Sequence, residues 1–310
     1  MDKIASKARP VEVPGRVPDI KAGTFKDGTP LHQVQFLECK IILKPDRFTS
    51  AEAFGDYAKV VKRTAQENGV KFTRDKASGR PKIREVIFFD TAQCGLYSNA
   101  FILRRRIQYE DGFPAGEPEI VFKFRHSDIQ TAAEMDVRPK LAGKYDIKFK
   151  AEALPLKDQV GGYRLLFSHN VQFPLSQVPE GDRTSIKSLT RLFPCLASLL
   201  KTEADRVELV NQTVVEEVLQ DLGTLDFGKD LVAKFNVALW RERGFHRPLI
   251  GEFAFQVKFK TRDELHDKAL DRVKRFFIAL QHNGLDYLSL GTTKTGVVYQ
   301  LKGNAPPAHE

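Results

Sequence analysis

The side chains best suited to chemistry in this 310-residue chain are acids and bases set at every second position in separated segments. Glu38 and Lys40 alternate with Leu37, Cys39, Ile41 and Leu43 across 34–43. Arg104 and Arg106 oppose Phe101, Leu103 and Ile107, and Val121, Lys123 and Arg125 oppose Ile120, Phe122 and Phe124. Glu134, Asp136 and Arg138 oppose Ala133, Met135 and Val137. Lys234 falls with Asn236, and Glu252, Ala254, Gln256, Lys258 and Lys260 oppose Phe253, Phe255, Val257 and Phe259. If these polar faces converged, Glu38, Glu134, Asp136 and Glu252 would lie among Lys40, Arg104, Arg106, Lys123, Arg125, Arg138, Lys234 and Lys258. So many cations in one concave site are costly unless an anion compensates them. Arg and Lys are the side chains that grip phosphate oxygens, and a few carboxylates suit Mg²⁺ or Mn²⁺. Such a metal would neutralise a transferring phosphoryl group and orient a water. The chemistry implied is hydrolysis of a phosphoanhydride.

Period-two alternation is the period of a strand, and it dominates the chain. Two helical patterns interrupt it. One opens at Thr49 and Glu52, carries Phe54, Tyr57, Ala58, Val61 and Ala65, and stops at Gly69. The other opens at Thr261 and Glu264 and runs through Leu265, Ala269, Leu270, Val273, Phe276, Phe277 and Leu280 to Gly284. A weaker helix over 185–200 is broken or kinked at Pro194. Strands that follow one another directly favour an antiparallel sheet with helices outside it. Any one segment alone reads as a solvated sheet face. Repeated pairing of acids with Lys and Arg fits better a closed antiparallel barrel, of the α+β class, whose polar faces line the interior; about eight strands leave room for one small ligand.

Composition bounds the rest. The chain has 49 Lys+Arg against 40 Asp+Glu, a net charge of +9, which favours anionic partners. No apolar run approaches the roughly 18–20 residues that cross a bilayer. Three dispersed cysteines, Cys39, Cys94 and Cys195, suit a reducing, cytoplasmic setting better than a disulfide framework. Residues 1–29, rich in Pro, Gly and Lys, read as a loose arm, and 303–310 as a frayed tail. The span 30–302 between them reads as a single domain. No zinc-ligand spacing and no G-x-S-x-G occurs. The near-match to a P-loop over 223–230 has Asp230 where Ser or Thr should follow the lysine, so it reads as a turn between strands.

Glu38-Cys39-Lys40, Phe89-Asp90-Thr91 leading into Leu103-Arg104-Arg105-Arg106, then Lys123, Glu134-Met135-Asp136 and Glu252 together resemble the CYTH superfamily, the triphosphate tunnel metalloenzymes. The likeness spans roughly 34–301 and includes the late helix and the closing Thr293-Lys294-Thr295…Val298-Tyr299. It implies a barrel of about eight strands that binds triphosphate through basic residues and Mg²⁺ or Mn²⁺ through acids. Family activities include inorganic, thiamine and RNA 5′-triphosphatases, polyphosphate polymerase and a class of adenylyl cyclase. By matching position, Glu38, Glu134, Asp136 and Glu252 would hold metal. Lys40, Arg104, Arg106 and Lys123 would act on phosphate, with Arg125 beside them; Arg138, Lys234 and Lys258 are further candidate cations. Asp90-Thr91 would be structural.

Two departures stand out. Phe36 occupies the first acid of the family's Glu-x-Glu-x-Lys strand, and Gln256 occupies the second acid of the late strand. Three readings follow: a metal-dependent phosphohydrolase acting on inorganic triphosphate, short polyphosphate or an organic triphosphate; a polyanion-binding module without efficient hydrolysis; or an RNA 5′-end-processing or RNA-binding protein. Residues 143–181 exceed the minimal family plan and would be a lid, a rim extension or extra strands.

Overall fold

A computed structural model describes residues 17–75, 80–181, 183–199, 206–303 and 305–306. Its strands are β1 (Phe36–Leu43), β2 (Lys71–Arg74), β3 (Lys82–Asp90), β4 (Phe101–Glu110), β5 (Phe113–His126), β6 (Asp146–Pro155), β7 (Tyr163–Pro174), β8 (Glu208–Asp226), β9 (Val232–Glu242) and β10 (Pro248–Lys258). They form one sheet in the order β2-β8-β3-β4-β5-β7-β6-β1-β10-β9, and β9 also pairs with β8. That last pairing closes nine strands into a barrel and leaves β2 outside.

The barrel expected from the sequence is present, with nine strands and with one parallel pair, β1 beside β6. The parallel pair is a matter of parity. Direction must alternate around a fully antiparallel ring, and an odd number of strands cannot alternate all the way round. Residues 143–181, left open between lid, rim and strands, supply β6 and β7, which belong to the ring itself.

The outer face is covered by helices. α1 (Ala51–Glu67) and α4 (Asp267–Asn283) lie over β1, β9 and β10, where Tyr57 packs on Phe253 and Phe276 on Phe255 at ring distances of 5.7 Å each. α2 (Ile129–Glu134) packs near β5 and β7. α3 (Ile186–Leu192) is followed by a single turn at Pro194–Leu196, as the break at Pro194 predicts, and Phe193 stacks on Phe122 at 4.0 Å. α5 (Lys294–Gln300) lies across one end of the ring.

Three local expectations are corrected. Ala133–Arg138 is the end of α2 and the loop after it, because Asp128 caps a short helix by accepting from the Thr131 N–H. α4 starts at Asp267; Thr261 and Glu264 belong to a single preceding turn, and Glu264 accepts from the Lys260 N–H. Within the expected loose arm, Val17 and Phe25 are buried; residues 1–16 and most of the expected tail lie outside the described residues. The P-loop-like stretch forms the turn between β8 and β9, with the Phe227 N–H donating to the Leu231 carbonyl.

One end of the barrel interior is filled. Ile42, Val86, Phe88, Ile102, Trp240 and Ile250 follow the inward phase of their strands and meet Val298 and Tyr299 of α5. α5 is held there by Asp90. That carboxylate accepts from the N–H groups of Thr91, Leu96 and Tyr97 and from the Tyr299 hydroxyl at 2.7–2.9 Å. The interior is therefore a cup with an apolar floor.

Candidate functional site

Strand register arranges the inward side chains of the cup in levels. Above the floor, Lys40 (β1), Arg84 (β3), Arg104 (β4), Lys123 and Arg125 (β5), Glu152 (β6), Glu217 (β8) and Glu252 (β10) form a middle belt, joined by Lys294 from the first turn of α5. Nearer the mouth lie Glu38, Arg106, Glu119, Lys148, Lys150 and Gln172. The lumen measures about 440 Å³. Nine cations and five carboxylates line it, so the wall is net positive. Alternation explains the sorting, since each strand that buries Leu, Ile or Phe under a helix turns its charges the other way.

The acids are woven into ion pairs. Glu152, fully buried, takes Lys123 at 3.0 Å, Lys40 at 3.2 Å, Arg125 at 3.1 Å and the Ser168 hydroxyl at 2.8 Å. Lys40 also meets Glu38 at 3.0 Å, and Lys150 meets Glu38 at 3.2 Å. Glu217 accepts from the Arg84 Nε at 2.7 Å, the Trp240 Nε1 at 2.8 Å and Lys294 at 3.2 Å. Lys294 reaches Glu252 at 2.7 Å. Burial alone would raise these carboxyls. Lys40 and Lys150 around Glu38, Arg125, Lys123 and Lys40 around Glu152, and Lys294 and Arg84 around Glu217 outweigh it and hold all three below the ordinary range.

Some of the cations are disfavoured by their burial, whereas Lys40 is held charged by Glu152 and Glu38. Burial, with Arg106 beside it, pushes Arg104 down to about 9, and the Arg104 side chain makes no hydrogen bond or ion pair among the described residues. Burial, with Arg125 beside it, pushes Lys123 well below its ordinary value. Arg106 bonds Glu119 at 3.0 Å, yet its buried Nε lacks a protein acceptor. Donors aimed into a positive hollow without acceptors are what an incoming polyanion needs.

Of the residues singled out in the sequence, the structure brings together Glu38, Lys40, Arg104, Arg106, Lys123, Arg125 and Glu252. It does not bring in the others. Glu134 is exposed at the end of α2 and accepts from Gln130. Asp136 is clamped by Arg138 through two 2.7 Å bonds, and Arg138 also pairs with Asp27 and covers the Phe25 ring, outside the barrel. Lys234 is exposed and lines a surface hollow with Arg74 and Asp75. Lys258 is exposed at the mouth, 5.8 Å from the Phe36 ring. Phe36 itself faces the same side as Glu38, with Lys150 5.7 Å from its ring, so the departure from the family motif places an aromatic face under two cations.

Sequence reasoning missed Arg84, Glu119, Lys148, Lys150, Glu152, Glu217 and Lys294. Lys148, Lys150 and Glu152 do alternate, and that signal was available. Lys294 lies in the closing Thr293-Lys294-Thr295 segment of the resemblance, but no alternation points it inward, because a helix end delivers it. Among the described residues no three His, Cys, Asp or Glu side chains converge as metal ligands. Each luminal carboxylate already has a cation against it, and this arrangement does not fit a resident Mg²⁺ or Mn²⁺. A second cavity, of about 400 Å³, lies outside the barrel between α3 and the outer faces of β4 and β5; its wall is mainly apolar.

No protein-family model matches the chain, and no curated protein matches it at a significant level. Solved structures similar to it include the following three. A Hippeastrum protein, HpAC1, described as an adenylyl cyclase with a dominant triphosphatase activity, is 13% identical over 88% of this chain and 98% of its own, with a TM-score of 0.40. The PH1819 protein of Pyrococcus horikoshii is 12% identical over 84% and 99%, with a TM-score of 0.36. A candidate adenylate cyclase of Bacillus halodurans is 11% identical over 79% and 91%, with a TM-score of 0.35. Likeness at this level carries no argument about function, which rests on the lumen. No helix among the described residues is long and apolar enough to cross a membrane.

Proposed function

We propose that the cup binds the phosphate chain of an inorganic triphosphate, the end of a short polyphosphate or an organic triphosphate. The observation that carries this reading is the imbalance of nine cations against five carboxylates in an enclosed lumen, with no ion pair to the Arg104 side chain among the described residues. A bound chain would supply the missing acceptors. The apolar floor limits entry to one end, which suits a short chain or a chain terminus.

Tripolyphosphate titrated by calorimetry tests it. Arg104→Ala should weaken binding about tenfold or more, the loss of one or two charge-assisted bonds. Lys234→Ala, outside the lumen, should leave affinity unchanged. Equal effects of the two substitutions, or no binding at all, would reject the reading.

Hydrolysis with Mg²⁺ or Mn²⁺ delivered together with the phosphate chain is a second reading, which requires the incoming chain to draw Lys40 off Glu38 and Lys294 off Glu252, both facing the lumen. It predicts phosphate release from tripolyphosphate with the metal and none without. For an RNA 5′-triphosphate, tripolyphosphate would have to displace the RNA.

A further inference from the structure

Two lysines each bridge a pair of luminal carboxylates that could otherwise face a divalent ion. Lys40 lies between Glu38 and Glu152, 3.0 Å and 3.2 Å from their oxygens. Lys294 lies between Glu252 and Glu217, 2.7 Å and 3.2 Å away. In each case one ammonium bridges two carboxylates from different strands. The two bridges arise independently, one from β1 and the other from the start of α5, where the Thr293 hydroxyl caps the helix by accepting from the Gly296 N–H. Lys294 is further fixed 4.7 Å over the Trp240 ring.

Mg²⁺ binds carboxylate oxygens at about 2.1 Å, and an ammonium bridging two carboxylates competes with it for that place. Inserting that ion would expel a lysine from a buried pair and add positive charge to a wall already in cationic excess. A phosphate chain stripped of metal carries more negative charge and is the better complement to that wall.

Resting on the reading of the lumen as a phosphate-chain site, we infer that this protein takes the metal-free chain, and that Lys40 and Lys294 are built-in counter-cations that set this specificity. Two measurements test it. Tripolyphosphate is titrated into the full chain in EDTA and again in excess Mg²⁺. Affinity in EDTA should equal or exceed that in Mg²⁺. Binding that appears only with Mg²⁺ overturns the inference and leaves the phosphate reading intact; no binding in either medium defeats both.

The second measurement uses Lys294→Gln, with circular dichroism to confirm folding. Freed of Lys294, Glu217 and Glu252 become available to a divalent ion. Affinity in EDTA should fall about tenfold and Mg²⁺ should restore it, so that the variant acquires a metal requirement the natural chain lacks. An equal loss in both media would overturn the role given to Lys294. Lys40→Gln gives the same test at the other bridge if Lys294→Gln fails to fold.

Discussion

Glu152 shows at residue scale how the lumen is balanced. Its carboxylate is the common partner of Lys40, Lys123 and Arg125. Glu152→Gln keeps the shape and removes the charge, and should cost about 3 kcal/mol, the range for breaking a buried ion pair on one side. Thermal unfolding reads the loss. Tripolyphosphate should recover more of the melting temperature in Glu152→Gln than in the natural chain, because the anion supplies the charge removed; equal shifts would show that the belt is not where the anion binds. The same residue marks the limit of legibility. Glu38 and Lys40 alternate with Leu37, Cys39 and Ile41, whereas Glu152 falls at the end of a Lys148, Lys150, Glu152 series in a stretch with no outward sign that it joins the ring.

Among the elements, β8 illustrates how backbone geometry is fixed by contact. It runs 19 residues, pairing with β3, β9 and, past a register shift at Asp221/Gly223, with β2. Gly223 has φ +147, and a Cβ there would meet the Thr73 carbonyl oxygen at 2.0 Å. Gly223→Ala should therefore detach β2 and cost about 3 kcal/mol. Amide exchange in Lys71–Arg74 should rise while β4 and β5 stay protected; uniform exchange would refute local detachment. The segment 133–138 shows the converse. Its alternation was regular, but Asp128 capping and the burial of Ala132 and Ala133 make a helix of its start. Six residues of alternation cannot outweigh a cap and a packed face.

On the scale of the whole molecule, acid stability follows from two sets of groups. His169, packed behind β7 against the ring of His32 at a nitrogen separation of 2.8 Å, is pushed down to about 4 by burial, with His32 adding to it. Its surroundings include Asp136 and Arg138, which act in opposite directions on His32. A histidine depressed below its ordinary 6.5 is neutral when folded and protonated when unfolded, so stability falls as pH drops from 6.5 towards 4. Glu38, Glu152 and Glu217, held low by their cations, give stability that is full above the ordinary carboxyl range and is lost as pH falls through it. Unfolding free energy should therefore decline in two stages between pH 7 and 3. His169→Gln should shrink the upper stage, to which His32, also lowered by burial, contributes, and leave the lower stage in place; a flat profile down to pH 5 in the natural chain would contradict the first assignment. The one-ended cup carries a further expectation: per chain end, long polyphosphate should bind no tighter than tripolyphosphate. Affinity that grows steadily with chain length would mean the floor opens.

Period-two alternation, read directly from the residues, was enough to separate inward charges from outward Leu, Ile and Phe on β1, β4, β5 and β10, because a strand's two faces follow strictly from spacing. It was also enough to suggest closure, since acids paired with Lys and Arg on strand after strand fit a lined interior better than a row of separately solvated faces. What only the folded chain decided was which acids meet which bases. Those pairings cross from strand to strand and from helix to barrel, and they are set by ring order, register and the parity of nine. Lys294 reaches Glu217 and Glu252 across 77 and 42 positions of sequence, a juxtaposition that no local pattern encodes.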